Sequence, residues 1–259
     1  MTKHSRVSRK EAPKRRQEIV SWLKAEATVT YEQIQKRFGV SPMTARRDVA
    51  ALETEGRAAR TLGGVMRLSE GLLSEGPLYL RQKRNLEAKR AIARTAAGLI
   101  APGNTLFLDA GTTCIELARV IAQSQLNVTI VTNSILVSAC FCEGLNHAKV
   151  IQIGGAVNPS GGCATGADTE AAARGYYIDL GFFSAVGYVP GDGTYESFAD
   201  MFRVKQAVME HCAQAILLAD HSKFGQRALN RVFPDAKFSR IITDRVIPGL
   251  RDSRLVLAH

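Results

Sequence analysis

Apolar and polar positions alternate along the chain in two rhythms, one before about residue 68 and one after about residue 86. In RQEIVSWLKAEA (16–27), Ile19, Val20 and Leu23 fall at i, i+1 and i+4 with Trp22 beside them, which predicts a helix with one apolar stripe. Thr28-Val29-Thr30 is β-branched but too brief for more than a strand fragment. Helical spacing resumes over 31–38 through Ile34 and Phe38, and Gly39 stands where a helix C-terminus favours left-handed backbone. Ser41 and Pro42 open a third helix, 42–56, as N-cap and first residue. At about 100° per residue, Ala45, Val49 and Leu52 share a core-facing stripe. Arg47 then points nearly opposite, with Met43, Arg46 and Ala50 on the outward half and Thr44 at its flank. After Gly56, RAARTLGGVMRL reads as two short strands around Gly63-Gly64, a wing carrying Arg57, Arg60 and Arg67. A short helix, a glycine turn and a capped next helix form the layout of a helix-turn-helix.

The second rhythm is different. TLFLD (105–109), NVTIVT (127–132), KVIQIGG (149–155), LGFFSAVG (180–187), AILLAD (215–220) and RIITD (240–244) are short β-rich runs separated by helical stretches. Such alternation predicts an α/β domain with a mostly parallel sheet, whose ligands bind beyond the C-terminal strand ends. The stretch LYLRQKRNLEAKRAIARTAAGLI before it is mostly helix-forming, while SEGLLSEGP (69–77) has no clear period. The expected organisation is a basic tail over 1–15, a winged helix-turn-helix over 16–68, a linker over 69–85 and an α/β domain over 86–259.

Candidate ligand groups collect after the predicted strands. They are Asp109, Gly111, Thr112 and Thr113; Thr132, Asn133 and Ser134; Gly154 and Gly155; Gly187; and Asp220 with Lys223. LDAGTT (108–113) lies between an apolar run and a helical one, so its backbone N–H groups and the positive helix end would surround an anion. Lys205, in the helical stretch ADMFRVKQAVMEH, is a candidate cation and also fits a solvated helix face.

Composition bounds these readings. A hydrophobic content of 46% with 22% charged residues is that of a folded soluble protein. No apolar run reaches the roughly 18 residues of a membrane span. The N-terminal residues lack the apolar core of a secretory signal. The five cysteines (Cys114, Cys140, Cys142, Cys163 and Cys212) have no paired spacing and read as reduced thiols of a cytoplasmic protein. Of the net charge of +10, +8 lies in the first 68 residues, pointing to a polyanion partner there. Direct base contacts would come from Ser41, Met43, Thr44, Arg46 and Arg47, with Arg57 and Arg60 on the wing. Arg47 is the first choice for a bidentate guanine contact. His4, His147, His211, His221 and His259 show no metal spacing, and neither a nucleophile elbow nor a nucleotide phosphate loop is present. No cofactor is expected.

The first segment resembles the N-terminal domain of DeoR-type bacterial transcription regulators. The matching features are Val40, Ser41, Thr44, the Arg46-Arg47-Asp48 triplet, Leu52-Glu53, Gly56 and Gly63-Gly64. Ala45 stands where that family usually has isoleucine, Val49 where it has leucine, and Leu62 where histidine is frequent. The later motifs LEAKRAIARTAAGLI, LDAGTT, VTNS, IGGAV, GDGT and LADHSKFG resemble, in order, the effector domain of the same family across about residues 86–245. The resemblance implies a fold similar to ribose-5-phosphate isomerase and CoA-transferases and a phosphorylated sugar as effector. It also makes an isomerase-like enzyme fused to a DNA-binding domain the alternative. Isomerases of that fold carry carboxylates at positions that correspond here to Phe183 or Ser184, Gly187 and Val204, leaving Glu196 or Asp192 as the remaining possible bases. The expectation is therefore a sensor: a non-enzymatic repressor of a carbohydrate-catabolism operon, binding double-stranded operator DNA as a dimer or tetramer.

Overall fold

The computed structural model describes residues 11–26, 28–54, 57–61, 63–67, 78–142 and 146–259. The tail through Lys10, Gly56, Leu62 and the linker through Pro77 lie outside the described residues, as does the side chain of Arg67. The chain divides into two compact units, Met1–Arg84 and Asn85–His259.

The first unit runs α1 (Ala12–Ala25), β1 (Thr28–Thr30), α2 (Tyr31–Phe38), α3 (Pro42–Thr54), β2 (Ala58–Arg60), β3 (Gly64–Arg67) and α4 (Leu78–Lys83). Helix α1 begins at Ala12 rather than at Arg16, because Pro13 sits in the first turn, where a missing N–H breaks no helical bond. A reciprocal capping box opens α2, with Gln33 N donating to Thr30 Oγ1 and Thr30 N donating to Gln33 Oε1. Gly39 closes it at φ 60°. Ile19, Leu23, Ile34, Ala45, Val49, Leu52 and Val65 form the core, so the stripe expected on α3 is the buried one. The Thr28–Thr30 fragment pairs with β3, completing a three-stranded antiparallel sheet in the order β1-β3-β2. Gly64 makes that pairing possible, since a Cβ there would lie 2.2 Å from the Val29 carbonyl oxygen. Two polar contacts tie the helices together. Arg15 Nε meets Asp48 Oδ2 at 2.6 Å with both side chains buried, joining α1 to α3. Tyr79 Oη donates to Glu53 Oε1 at 2.6 Å, joining α4 to α3.

The second unit continues with α5 (Leu86–Ala97), β4 (Thr105–Leu108), α6 (Thr112–Ala122), β5 (Thr129–Thr132), α7 (Ile135–Ala139), β6 (Lys149–Gln152), β7 (Ala156–Asn158), β8 (Cys163–Thr165), α8 (Ala167–Ala173), β9 (Ile178–Phe183), β10 (Gly187–Val189), β11 (Gly193–Glu196), α9 (Ala199–Met209), β12 (Cys212–Leu218), β13 (Asn230–Pro234), β14 (Arg240–Thr243) and β15 (Leu255–Leu257). Seven of these strands form one parallel sheet in the order β15-β14-β12-β9-β4-β5-β6. Strand β15 and the small antiparallel sheet β10-β11-β13 were not apparent from periodicity. The pleat sends alternate side chains to opposite faces. Leu106, Leu108, Ile130, Phe182, Ile216 and Leu218 pack with α5, α6 and α7, while Phe107, Val131, Phe183, Leu217 and Ile241 pack with α8 and α9. This two-sided burial explains the continuous apolar runs.

The helix that the sequence suggested from residue 78 onward is interrupted at Asn85. Its backbone is left-handed at φ 51°, the one positive φ outside glycine among the described residues. For an L-residue other than glycine that conformation is disfavoured, and asparagine tolerates it best.

Breaking one partner of the Arg15–Asp48 pair leaves a buried charge uncompensated. Asp48→Ala should destabilise the first unit by about 3–5 kcal/mol, read by urea unfolding through Trp22 fluorescence. The double change Arg15→Met, Asp48→Leu should recover most of that loss, since it removes both charges.

Candidate functional site

On α3, Ser41, Met43, Arg46 and Arg47 are exposed and Thr44 is half-buried. Ser41 Oγ accepts from Thr44 N at 3.2 Å and so caps the helix start. The Arg46 guanidinium lies 5.8 Å from the Tyr31 ring centroid, a cation–π placement that holds it toward α2. Arg57 donates to Gln17 across the unit, and Arg60 Nε stands 3.8 Å from Glu53 with most of its side chain in solvent. This face offers cationic donors of different freedom. Arg46 lies over the Tyr31 ring and Arg57 is engaged, whereas the exposed Arg47 makes no hydrogen bond or ion pair among the described residues.

The second site follows from strand order. From β4 the chain moves outward through β5 and β6, then returns to place β9 on the other side of β4 and continues through β12 and β14. The sheet therefore has its topological switch point between β4 and β9, where the loops diverge and leave a crevice at the strand ends. Asp109 follows β4 and Ser184 follows β9, and the two close on each other. Ser184 donates from its backbone N at 3.0 Å and from Oγ at 2.5 Å to Asp109 Oδ2, while Ala110 N donates to Oδ1 at 2.7 Å.

Lys205, reaching over from α9, completes the cluster. Its Nζ stands 2.9 Å from Asp109 Oδ2, 2.5 Å from Glu196 Oε1 on β11, and 2.9 Å from the Ser184 carbonyl oxygen. Lys205 is 5% exposed, so it is not a solvated helix lysine. Burial works to lower its pKa, but the Asp109 and Glu196 carboxylates outweigh this and hold it above the usual lysine value. Beneath the cluster, burial pushes the Cys114 thiol well up, and the nearby Asp109 charge adds to that, so Cys114 is held as an inert thiol.

Helix α6 begins directly after this cluster. Gly111 is its N-cap, with no side chain satisfying the first-turn N–H groups. A Cβ on Gly111 would stand 1.8 Å from Ser184 Oγ, so only glycine lets the loop close over β9. Two strands from Asp109, at roughly 5 Å per strand, Asp220 follows β12. Asp220 Oδ1 accepts from Ser222 N, Ser222 Oγ and Asn85 Nδ2, forming the turn that carries Lys223. Burial raises the Asp220 pKa, but the Lys223 charge and these hydrogen bonds prevail and hold it below the ordinary carboxylate range.

Two family models divide the chain between them: a DeoR-like helix-turn-helix domain over residues 15–70 and a DeoR C terminal sensor domain over residues 84–245. This chain belongs to the DeoR family of transcription regulators. Among its relatives, an uncharacterized HTH-type transcriptional regulator of Escherichia coli strain K12, YgbI, is 32% identical over 93% of each chain. The glycerol-3-phosphate regulon repressor of the same strain is 29% identical over 89% of this chain and 90% of its own. The fold likeness to ribose 5-phosphate isomerase A from Methanocaldococcus jannaschii has a TM-score of 0.41 and 15% identity, covering 54% of this chain and 55% of that one.

Within the DeoR sensor unit, the residues singled out from sequence differ in how far their polar groups are already bonded inside the protein. Thr132 Oγ1 donates to the Leu108 carbonyl and accepts from Ser134 N, and Ser134 Oγ caps α7 by accepting from Val137 N. Both hydroxyls are engaged inside the protein. Gly187 lies against the Gln226 carbonyl, where a Cβ would come within 2.3 Å, so its role is close backbone packing. Gly154 and Gly155 form an exposed turn, with the Gly154 carbonyl bonded by Thr169 Oγ1 at 2.8 Å. Asn133 donates to the Ala164 carbonyl at 2.9 Å, and its buried Oδ1 has no hydrogen-bond partner among the described residues. The turn of Gly111, Thr112 and Thr113, the Asp109–Lys205 contact and the Asp220–Lys223 turn all lie at the carboxyl edge of the sheet.

Four residues carry more than sequence reasoning assigned them. Ser184 and Glu196 enter as partners of Asp109 and Lys205, although no local pattern marks them. Asn85 had a faint signal, an asparagine just ahead of an apolar helical stripe. Lys89 is 4% exposed on α5. It shares the stripe of Ile92, Ala93 and Ala96, so periodicity could have revealed its burial.

Lys205→Met should destabilise the sensor unit by about 3–5 kcal/mol, because it leaves two buried carboxylates facing each other without their counter-charge. Lys223→Ala, at a half-exposed position, should change stability by less than about 1 kcal/mol. Equal losses in calorimetric unfolding would show that the cluster is not the support inferred for it.

Proposed function

We propose that this DeoR-family regulator represses a carbohydrate-catabolism operon and that a phosphorylated sugar or related metabolite, held at the switch point of the domain over 86–259, sets its operator affinity. The observation that carries this reading is the uncapped start of α6 beside the closed Asp109–Ser184 loop. Free N–H groups at a helix N-terminus favour an anion, and Lys223 supplies a cation two strands away. The name of the glycerol-3-phosphate regulon repressor fits the same chemistry.

The winged domain over 16–68 would read operator DNA through Ser41, Met43, Thr44 and Arg47, with Arg46, Arg57 and Arg60 on phosphates. Arg47 is the base-reading choice because Arg46 is stacked on Tyr31. A sensor fits better than an enzyme. A general base must be free to take a proton, yet Asp109 already accepts from Ala110, Ser184 and Lys205, and Glu196 is paired with Lys205. Regulation then follows from linkage: a ligand preferring the arrangement that binds DNA poorly weakens operator binding by the ratio of its two affinities. We place the protein in the cytoplasm and expect it to act as a dimer or tetramer on paired half-sites. Among the described residues no helix is long and apolar enough to cross a membrane.

A thermal-shift series with D-ribose 5-phosphate, D-glucose 6-phosphate and glycerol 3-phosphate should give at least one midpoint that rises with log concentration. The corresponding unphosphorylated compounds should give none. Lys223→Ala should keep promoter binding and lose the response to that compound, whereas a normal response would remove Lys223 from the site. Arg47→Ala should cost roughly 1–3 kcal/mol of specific binding, and an unchanged footprint would remove it from base reading.

A further inference from the structure

Most side chains on the first two turns of α3 are already committed within the first unit. Ala45 and Val49 belong to its core, and Asp48 is buried against Arg15. Ser41 Oγ caps the helix by accepting from Thr44 N at 3.2 Å, and it stands 3.0 Å from Thr44 Oγ1, so the two hydroxyls bond each other. The Arg46 guanidinium lies 5.8 Å from the Tyr31 ring centroid. Beyond Pro42, which opens the helix, the outward side chains left are those of Met43 and Arg47. Arg47 is a cation in water, as expected of a surface helix. Met43 is not.

Met43 is 64% exposed, more than any other large apolar side chain among the described residues of this unit. The next two are Met66 and Tyr79, each 41% exposed. Met66 lies in β3, paired on both sides by β1 and β2, and Tyr79 donates its hydroxyl to Glu53. Met43 has no such account, and an apolar chain in water gains by being covered. Its position is specific as well. Met43 and Arg47 are four residues apart, so they lie about 40° apart around the helix and about 6 Å apart along it. They form one small outward face, one member apolar and one cationic.

We propose that Met43 is a specificity-determining residue that reads one thymine of the operator through its C5-methyl group in the major groove. This rests on the reading of α3 as the base-reading helix given under the proposed function. The chemistry leaves little choice of base. A thioether has no N–H or O–H to donate and its sulfur is a weak acceptor, so Met43 cannot recognise a hydrogen-bonding edge. Of the four bases, thymine alone shows a methyl group in the major groove. The unbranched methionine chain adapts to the place of that methyl group. A spacing of about 6 Å along the helix corresponds to about two base steps of about 3.4 Å. The thymine therefore lies within about two base pairs of the guanine taken by Arg47. Specificity on this face is then divided between a guanidinium that hydrogen-bonds and a methionine that packs.

The test uses the full chain and the footprinted segment of its own promoter, with affinity read by fluorescence anisotropy at one fixed salt concentration. Each thymine of the segment is replaced in turn by deoxyuridine, which removes the methyl group and leaves every hydrogen-bonding group in place. In the unmodified chain, one thymine per half-site should be sensitive, its replacement weakening binding by about fourfold, the worth of one buried methyl group. Met43→Gln keeps the chain length and helix propensity but ends in a polar group. It should bind the thymine and deoxyuridine duplexes equally at that position. Met43→Leu keeps an apolar side chain and should retain most of the fourfold ratio. Because Met43 is exposed, both variants should unfold at the midpoint of the unmodified chain. If no thymine is sensitive in the unmodified chain, or if Met43→Gln keeps the fourfold ratio, the methyl contact is overturned while α3 stands as the reading helix. If the chain binds its promoter and random DNA equally, base reading by α3 fails and the contact falls with it.

Discussion

The sensor unit is organised around one buried ammonium. Lys205 sits between the carboxylates of Asp109 and Glu196 with almost no solvent, and none of the three groups could occupy that depth without the others. Asp109 belongs to the end of β4, Ser184 to the end of β9, Glu196 to β11 and Lys205 to α9. The cluster therefore fastens the two central strands of the sheet to the small antiparallel sheet and to a helix of the opposite face. It does so at the switch point, where a parallel sheet opens a crevice. The uncapped start of α6 follows directly on the loop that Asp109 holds.

This arrangement separates support from recognition. Asp109, Glu196 and Lys205 are engaged with one another, while the first turn of α6 has no side-chain cap and Lys223 is half-exposed. The DNA-reading unit shows the same economy. The Arg15–Asp48 pair is buried and fixes α3 against α1, whereas Arg47 is left exposed on the outer face. In the Arg46-Arg47-Asp48 triplet, three adjacent charged residues thus have three different roles, set by their angle around one helix.

The amino-acid sequence reveals the fold well because the physics behind it is periodic. The strands of the parallel sheet are short runs buried on both faces, and Ala45, Val49 and Leu52 fall on the buried stripe that the helical angle demands. What the pattern cannot show is how a polar group is already used. Thr132 and Ser134 read as ligand hydroxyls, and in the fold they also bond a backbone carbonyl and a helix N-terminus. Lys205 fits a cleft cation and a solvated helix lysine alike, because the partners that bury it come from β4 and β11, which no local window brings together. Asn85 interrupts a stretch whose composition is helical throughout, for the sake of a carboxylate 135 positions away in sequence.

Binding of an anion at the start of α6, as proposed, would protect the backbone amides of its first turn. The most direct measurement is residue-resolved amide hydrogen exchange of the full chain, with and without a phosphorylated sugar that stabilises it. Saturable protection is expected, centred on Gly111–Thr113 and extending to Ser222 and Lys223. Protection confined elsewhere would contradict it, for example around the cavity of about 230 Å³ lined by Thr243, Arg251 and Leu255, with the amides of Gly111–Thr113 unchanged.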